Sequence, residues 1–76
     1  MELGRQPLNE ILDRHGWNNH DVVAHSSEGL THKVVQKARK GRQLTRRAQE
    51  KILRALNAIA PGAVFHMEDV FNYRAR

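Results

Sequence analysis

No cysteine occurs anywhere in the chain. That excludes a disulfide framework and any thiolate metal site, and it suits a reducing cytoplasm. No apolar run approaches the roughly 18 residues that span a bilayer. Met1 to Pro7 has no apolar signal core, so neither a membrane partner nor a targeting segment is expected. The glycines never cluster, which leaves no phosphate-cradling loop. Ser26 and Ser27 have no G-x-S-x-G setting, and the acids Glu10, Asp13, Asp21, Glu28, Glu50, Glu68 and Asp69 are scattered. An enzyme is not expected, nor a cofactor or small-molecule ligand. Only four aromatic residues are present, Trp17, Phe65, Phe71 and Tyr73, and they are expected in or beside a core rather than in a base-stacking platform. Five histidines occur, but His15, His20 and His25 fall five apart, about 140° per step on a helix. With no H-x₃-H pair, no metal site is expected.

The remaining scarcity is local. From Lys33 to Arg54 there is one acid, Glu50, against nine Lys or Arg, so the segment is net +8. The rest of the chain holds four cations against seven acids, net −3. Charge segregated in this way is an electrostatic footprint for a polyanion, with DNA or RNA the first candidates. The sequence pI of about 10.5 agrees. With 76 residues the chain is one domain, expected to bury about 60% of its unfolded surface.

The apolar pattern is helical throughout, so the expected fold is all-α, with helix starts near Pro7, Asn19, Thr31, Thr45 and Met67. Leu8, Ile11, Leu12 and His15 follow an i, i+3, i+4, i+7 stripe behind Pro7, and Gly16 stops it. Trp17 then enters the core from the connection. Asn18 or Asn19 caps a second helix with Asp21 in its first turn, and Val22, Val23 and Ala24 form its apolar side up to Ser26. Gly29 suits a positive φ in the following turn. Thr31 caps a third helix in which Leu30, Val34, Val35 and Ala38 face inward, and Gly41 ends it. Thr45 caps a fourth with the stripe Ala48, Ile52, Ala55, Leu56 and Ile59, closed by Pro61-Gly62. A last short helix runs from about Met67 to Asn72. Residues 1–6 and 73–76 are expected to fray. No pair of alternating segments offers a sheet.

Five short helices with a basic third one resemble the helix-turn-helix domains of the Cro/phage-repressor type, the XRE family. The residues that carry the resemblance are Ala24 and Gly29 around the turn, Leu30-Thr31 entering helix three, Val35 and Ala38 as its buried positions, and Lys40-Gly41-Arg42 at its end. Ala55-Leu56 and Glu68 to Phe71 look like the closing elements. Ala24 and Gly29 stand one residue further apart than is usual in that family, and Asn19 or His20 occupies the region of its usual Gln. The resemblance implies a compact, lambda-repressor-like five-helix domain. It further implies a small transcriptional regulator that binds double-stranded DNA sequence-specifically with residues 31–40 in the major groove.

On that reading Thr31, His32, Lys33, Gln36 and Lys37 are the base-contacting candidates. Lys donates to guanine O6 and N7, and Gln pairs with adenine N6 and N7. The phosphate-contacting candidates are Asn18, Asn19, Arg39, Lys40, Arg42, Arg46 and Arg47. Lys51 and Arg54 fall on the outer face of helix four, near Glu50. A homodimer through the C-terminal region is a further expectation. Two other function classes stay open: a protein-interaction adaptor, antitoxin-like or coactivator-like, using Val64, Phe65, Met67 and Tyr73, and an RNA-binding module. Membrane-surface binding by residues 45–60 conflicts with the core's need for that apolar stripe.

Overall fold

The computed structural model describes residue 4 and residues 6–73. Five helices follow in order, α1 Pro7–His15, α2 Asn19–Ala24, α3 His32–Lys40, α4 Arg46–Ile59 and α5 Met67–Val70, with no strand among the described residues. The all-α expectation and the order of its helices hold.

Local chemistry sets the boundaries. Pro7 occupies the first turn of α1, where its missing N–H leaves no gap. The Gly16 and Trp17 N–H groups close that helix on the Asp13 and Leu12 carbonyls. Asn18 and Asp21 form a reciprocal capping box on α2, each side chain accepting the other's backbone N–H at 2.9 Å. Thr31 Oγ1 accepts the Val34 N–H, and Thr45 Oγ1 the Ala48 N–H, both at 3.2 Å.

The core is one cluster. Leu8, Ile11 and Leu12 of α1, Val22 of α2, Val35 and Ala38 of α3, and Ile52, Ala55 and Leu56 of α4 meet there, joined by Leu30, Leu44, Val70 and Phe71. α1 packs on α3 and α5; α2 on α3 and α4; α4 on α3 and α5.

Several expectations change. Val34 is only half-buried, because a nine-residue helix fully buries one stripe and Val35 and Ala38 define it. Ala24 is exposed at the end of α2, which stops there rather than at Ser26. α5 ends at Val70, short of Asn72. His15 is exposed; its Nδ1 donates to the Ile11 carbonyl at 2.8 Å, and its ring stacks on Trp17 with centroids 4.3 Å apart. Trp17 is half-buried, with Phe65 edge-on to both rings, so it roofs the core rather than entering it.

The expectation of frayed ends is also corrected where it is described. Gln6 is 1% exposed, its Nε2 donating to the Gly4 carbonyl and its Oε1 accepting the Asn72 N–H at 2.9 Å. The Tyr73 hydroxyl donates to the Arg42 carbonyl and accepts the Leu44 N–H, each at 3.1 Å. Gln6 and Tyr73 are thus each tied to distant parts of the chain by hydrogen bonds. The remaining positions of that expectation, 1–3, 5 and 74–76, lie outside the described residues.

Two glutamines share the interior with opposite consequences. Gln6 is satisfied, whereas Gln49 on α4 is 2% exposed and its Nε2 has no partner. Replacing a satisfied buried amide strands its partners, while replacing an unsatisfied one removes a desolvation cost. Gln6→Met is expected to lower unfolding stability by about 1–3 kcal/mol. Gln49→Met, of similar volume, should leave stability unchanged or raise it. Urea unfolding of the two variants beside the parent protein checks the contrast, which equal losses would contradict.

Candidate nucleic-acid interface

The basic segment is organised by α3. Val35 and Ala38 are fully buried, which fixes the helix's rotation about its own axis. His32, Lys33, Gln36 and Lys40 are consequently exposed on the other side, and Lys37 is half-buried. Gly41 ends the helix at φ 90°, its N–H on the Ala38 carbonyl and the Arg42 N–H on the Lys37 carbonyl at 3.0 Å. No other residue fits there. A Cβ at Gly41 would collide with the backbone of Gly4, which crosses directly over it.

Past Gly41 the chain turns into α4 with Arg42, Arg46 and Arg47 exposed. Lys33, Gln36, Lys37, Lys40 and Arg42 line one open depression. Val34, Lys37, Arg42, Gln43, Leu44, Thr45 and Ala48 line the next. Lys37 and Arg42 border both, so the basic outer edge of α3 runs on into the connection that leads to α4. Val34 and Leu44 share the lining of that depression with the half-buried Lys37. Thr31 is exposed, with its hydroxyl engaged in the α3 cap.

Two cations of the segment turn away from this surface. Arg39 is the correction to the phosphate set. Its Nε donates to Asn9 Oδ1 at 2.8 Å, its Nη1 to Asn19 Oδ1 and its Nη2 to Asp13 Oδ1, both at 2.9 Å. Its side chain is only 19% exposed. One guanidinium therefore ties α3 to α1 and α2, and every partner is an acceptor suited to its donor-only chemistry. Arg54, with Glu50 near enough to add its charge, forms a bidentate pair with Glu28 at 2.7 and 2.6 Å. These hydrogen bonds, with the nearby Arg54 and Lys51 charges, hold the Glu28 carboxyl below the usual glutamate range, and the same hydrogen bonds, with the Glu28 and Glu50 charges, hold Arg54 above its ordinary value. The pair pins the α2–α3 connection to α4. Among the described residues the other seven cations of the segment, Lys33, Lys37, Lys40, Arg42, Arg46, Arg47 and Lys51, are in no ion pair.

The start of α2 lies beside this surface. Asn19 is half-buried, and its Nδ2 donates to Gln36 Oε1 at 2.9 Å. Asn18 is exposed with its side chain committed to the capping box. His20 and His32, both exposed, set their rings within 12° of parallel, with Nδ1 and Nε2 3.4 Å apart. One of those nitrogens has to donate and the other accept.

Of the base-contacting candidates, the structure brings Lys33, Gln36 and Lys37 together and places His32 at the head of the same helix. Of the phosphate candidates, Lys40 and Arg42 join them, Arg46 and Arg47 follow on the first turn of α4, and Asn18, Asn19 and Arg39 are engaged within the protein. The sequence contained one hint of the Arg39 network: Asn9 and Asp13 stand four apart on the polar side of α1. Nothing local marks Arg39 as their partner. Comparisons with protein-family models, curated proteins and solved structures found no match to the chain.

Removing Arg39 leaves Asp13, Asn9 and Asn19 without their shared donor. Arg39→Met is expected to lower stability by about 2 kcal/mol. The loss stays below that of a fully buried pair, because the Asp13 carboxylate is 64% exposed and partly screened. Lys40→Met, one residue along, should change stability by no more than about 0.5 kcal/mol. Thermal or urea unfolding distinguishes them, and equal effects would mean that the Arg39 contacts are incidental.

Proposed function

We propose that this domain binds double-stranded DNA as a small sequence-specific regulator, with the outer edge of α3 in the major groove and the start of α4 on the phosphates. The observation that carries the reading is the division of labour among nine cations. Two are paired, Arg39 with Asp13 and Arg54 with Glu28, and among the described residues the unpaired ones include Lys33, Lys37, Lys40 and Arg42 around one helix edge, with Arg46 and Arg47 exposed on the first turn of α4. A polypeptide that needed these charges only for solubility has no reason to group them on one surface while the rest of the chain is net negative.

Shape favours duplex DNA over RNA, whether double- or single-stranded. An α-helix with side chains is about 10–12 Å across and the B-DNA major groove about 12 Å wide, whereas the A-form major groove is too narrow to admit side chains. Single-strand readers need exposed aromatic faces. Here Trp17 is stacked on His15 with Phe65 against it, Phe71 is buried edge-on against Tyr73, and the half-buried Tyr73 has its hydroxyl engaged by the Arg42 and Leu44 backbone. The family resemblance implied the same docking, and the reading stands on the domain's own geometry.

The adaptor alternative draws less support. Of Val64, Phe65, Met67 and Tyr73, Val64 is the one large apolar side chain classed as exposed among the described residues, at 71%. Asn57 clamps the Phe65 backbone through both amide atoms, at 2.8 and 3.2 Å. α5 turns Val70 into the core, followed by the buried Phe71, so dimerisation through the C-terminal region has little apolar surface to use.

The reading separates residues that read from residues that hold. Lys33→Ala or Lys37→Ala should cost about 1–3 kcal/mol on the preferred duplex and little on a scrambled one. Arg46→Ala or Arg47→Ala should weaken both duplexes nearly equally and reduce the salt slope by about one unit. With Lys40, Arg42, Arg46 and Arg47 on phosphates, the log–log salt slope of the parent protein should be roughly −4. Fluorescence anisotropy across a salt series measures all of these. Equal losses for all four variants on both duplexes would identify a non-specific polyanion binder instead.

A further inference from the structure

Arg39 fixes more than helix angles. A guanidinium has donors only, so the Asn19 atom facing its Nη1 at 2.9 Å has to be the amide oxygen. That leaves the Asn19 Nδ2 as the atom turned toward Gln36. The Gln36 atom that meets it, also at 2.9 Å, has to be Oε1. Asn and Gln amides are ordinarily ambiguous between their two orientations. Here the chain from Asp13 through Arg39 and Asn19 to Gln36 removes the ambiguity at every link. The Nε2 of Gln36 diverges from the oxygen that Asn19 holds, and it makes no hydrogen bond among the described residues. Gln36 is exposed and lines the same depression as Lys33, Lys37, Lys40 and Arg42.

We propose that the Asp13–Arg39–Asn19 relay presents Gln36 to DNA as a fixed hydrogen-bond donor, making it a reader of acceptor-bearing base edges, guanine first. The proposal rests on the DNA-binding reading above and specifies its chemistry at one position. Guanine offers N7 and O6, both acceptors, and thymine offers O4, whereas adenine offers one acceptor, N7, beside the N6 donor and so ranks below guanine. Cytosine offers only its N4 donor, which a donor cannot meet. The bidentate Gln–adenine pair needs the glutamine oxygen free to face N6, and that oxygen is turned toward α2 by Asn19. Asn19 is thus a positioning residue and Gln36 a specificity-determining one.

The relay makes an invertible prediction. In Asn19→Asp the side chain offers acceptors on both arms. One oxygen keeps the Arg39 contact, so Gln36 has to rotate its amide and donate Nε2 to the other. Its Oε1 then faces the groove, and the preferred edge changes to one carrying a donor, adenine N6 or cytosine N4. A carboxylate also suits the first turn of α2, so the variant should fold. Asn19→Ala supplies the complementary test: with no partner, Gln36 rotates freely and loses discrimination between the two kinds of edge.

Two measurements decide the proposal. The first uses the protein without DNA. Solvent exchange of the ¹⁵N side-chain amides should show the Gln36 NH₂ unprotected in the parent protein and protected in Asn19→Asp. The second is selection from a random duplex library with the parent protein, Gln36→Ala, Asn19→Asp and Asn19→Ala. Gln36→Ala should flatten the preference at one motif position, worth on the order of tenfold between the best and worst base. At that position the parent protein should select guanine and exclude cytosine, and Asn19→Asp should select adenine or cytosine and exclude guanine and thymine, with Asn19→Ala close to indifferent. A parent motif that Asn19→Asp leaves unchanged at the Gln36-sensitive position overturns this inference alone. A Gln36 amide already protected in the parent protein does the same. Failure of the parent protein to enrich any motif overturns the regulator reading and this inference with it.

Discussion

The relation between the first three helices depends on the contacts of one side chain, the guanidinium of Arg39. It reaches Asn9 and Asp13 on α1 and Asn19 on α2 from its own position on α3, with each contact at 2.8–2.9 Å. A cation this enclosed is tolerable only when its donors are met and a carboxylate balances it, and both conditions hold. The connection between α2 and α3, residues 25–31, is longer than the three or four residues of an ordinary helix-turn-helix. A long connection by itself leaves the angle of α3 loose. Arg39 removes that freedom from one end. At the other, Leu30 is buried in the core and Glu28 is paired to Arg54 on α4.

The same economy appears past the end of α3. The Arg42 carbonyl and the Leu44 N–H both meet the Tyr73 hydroxyl, and Gly4 lies across Gly41. The segment that carries the exposed arginines is therefore held by Gly4 on one side and Tyr73 on the other. Cations on an ordered loop lose less freedom on meeting a phosphate than cations on a mobile one, so more of each contact survives as affinity. The domain orders the backbone around its unpaired charges and keeps the charges themselves exposed.

The parts of this structure legible in the sequence are those decided within one turn of chain. Asn18, Thr31 and Thr45 cap because a short polar side chain reaches an N–H two or three residues ahead, and Gly16 and Gly41 stop helices for equally local reasons. The exposed edge of α3 was readable from the spacing of Val35 and Ala38. What the sequence withheld is long-range. Arg39 reads as one more cation beside Lys40 until α1 and α2 are packed beside it, and the turn of the helix decides which of the two meets them. Gln6 and Tyr73 sit in stretches whose composition suggests loose ends, and a partner 66 residues away for Gln6 leaves no local trace. Val34 matched an apolar stripe, yet a helix this short buries only part of it. Ala24 fitted a family pattern and is exposed.

The central claim is that duplex DNA meets the outer edge of α3 and the start of α4 and no other face. Backbone amide shift mapping tests it most directly, using ¹⁵N-labelled protein titrated with a mixed-sequence duplex at low salt. The account predicts that the perturbed amides cluster at His32, Lys33, Gln36, Lys37, Lys40, Arg42, Arg46 and Arg47, while those of Asn57, Phe65 and Val70 stay in place. Perturbations centred on the 57–70 side, or absent at every residue while the duplex is bound, would contradict it.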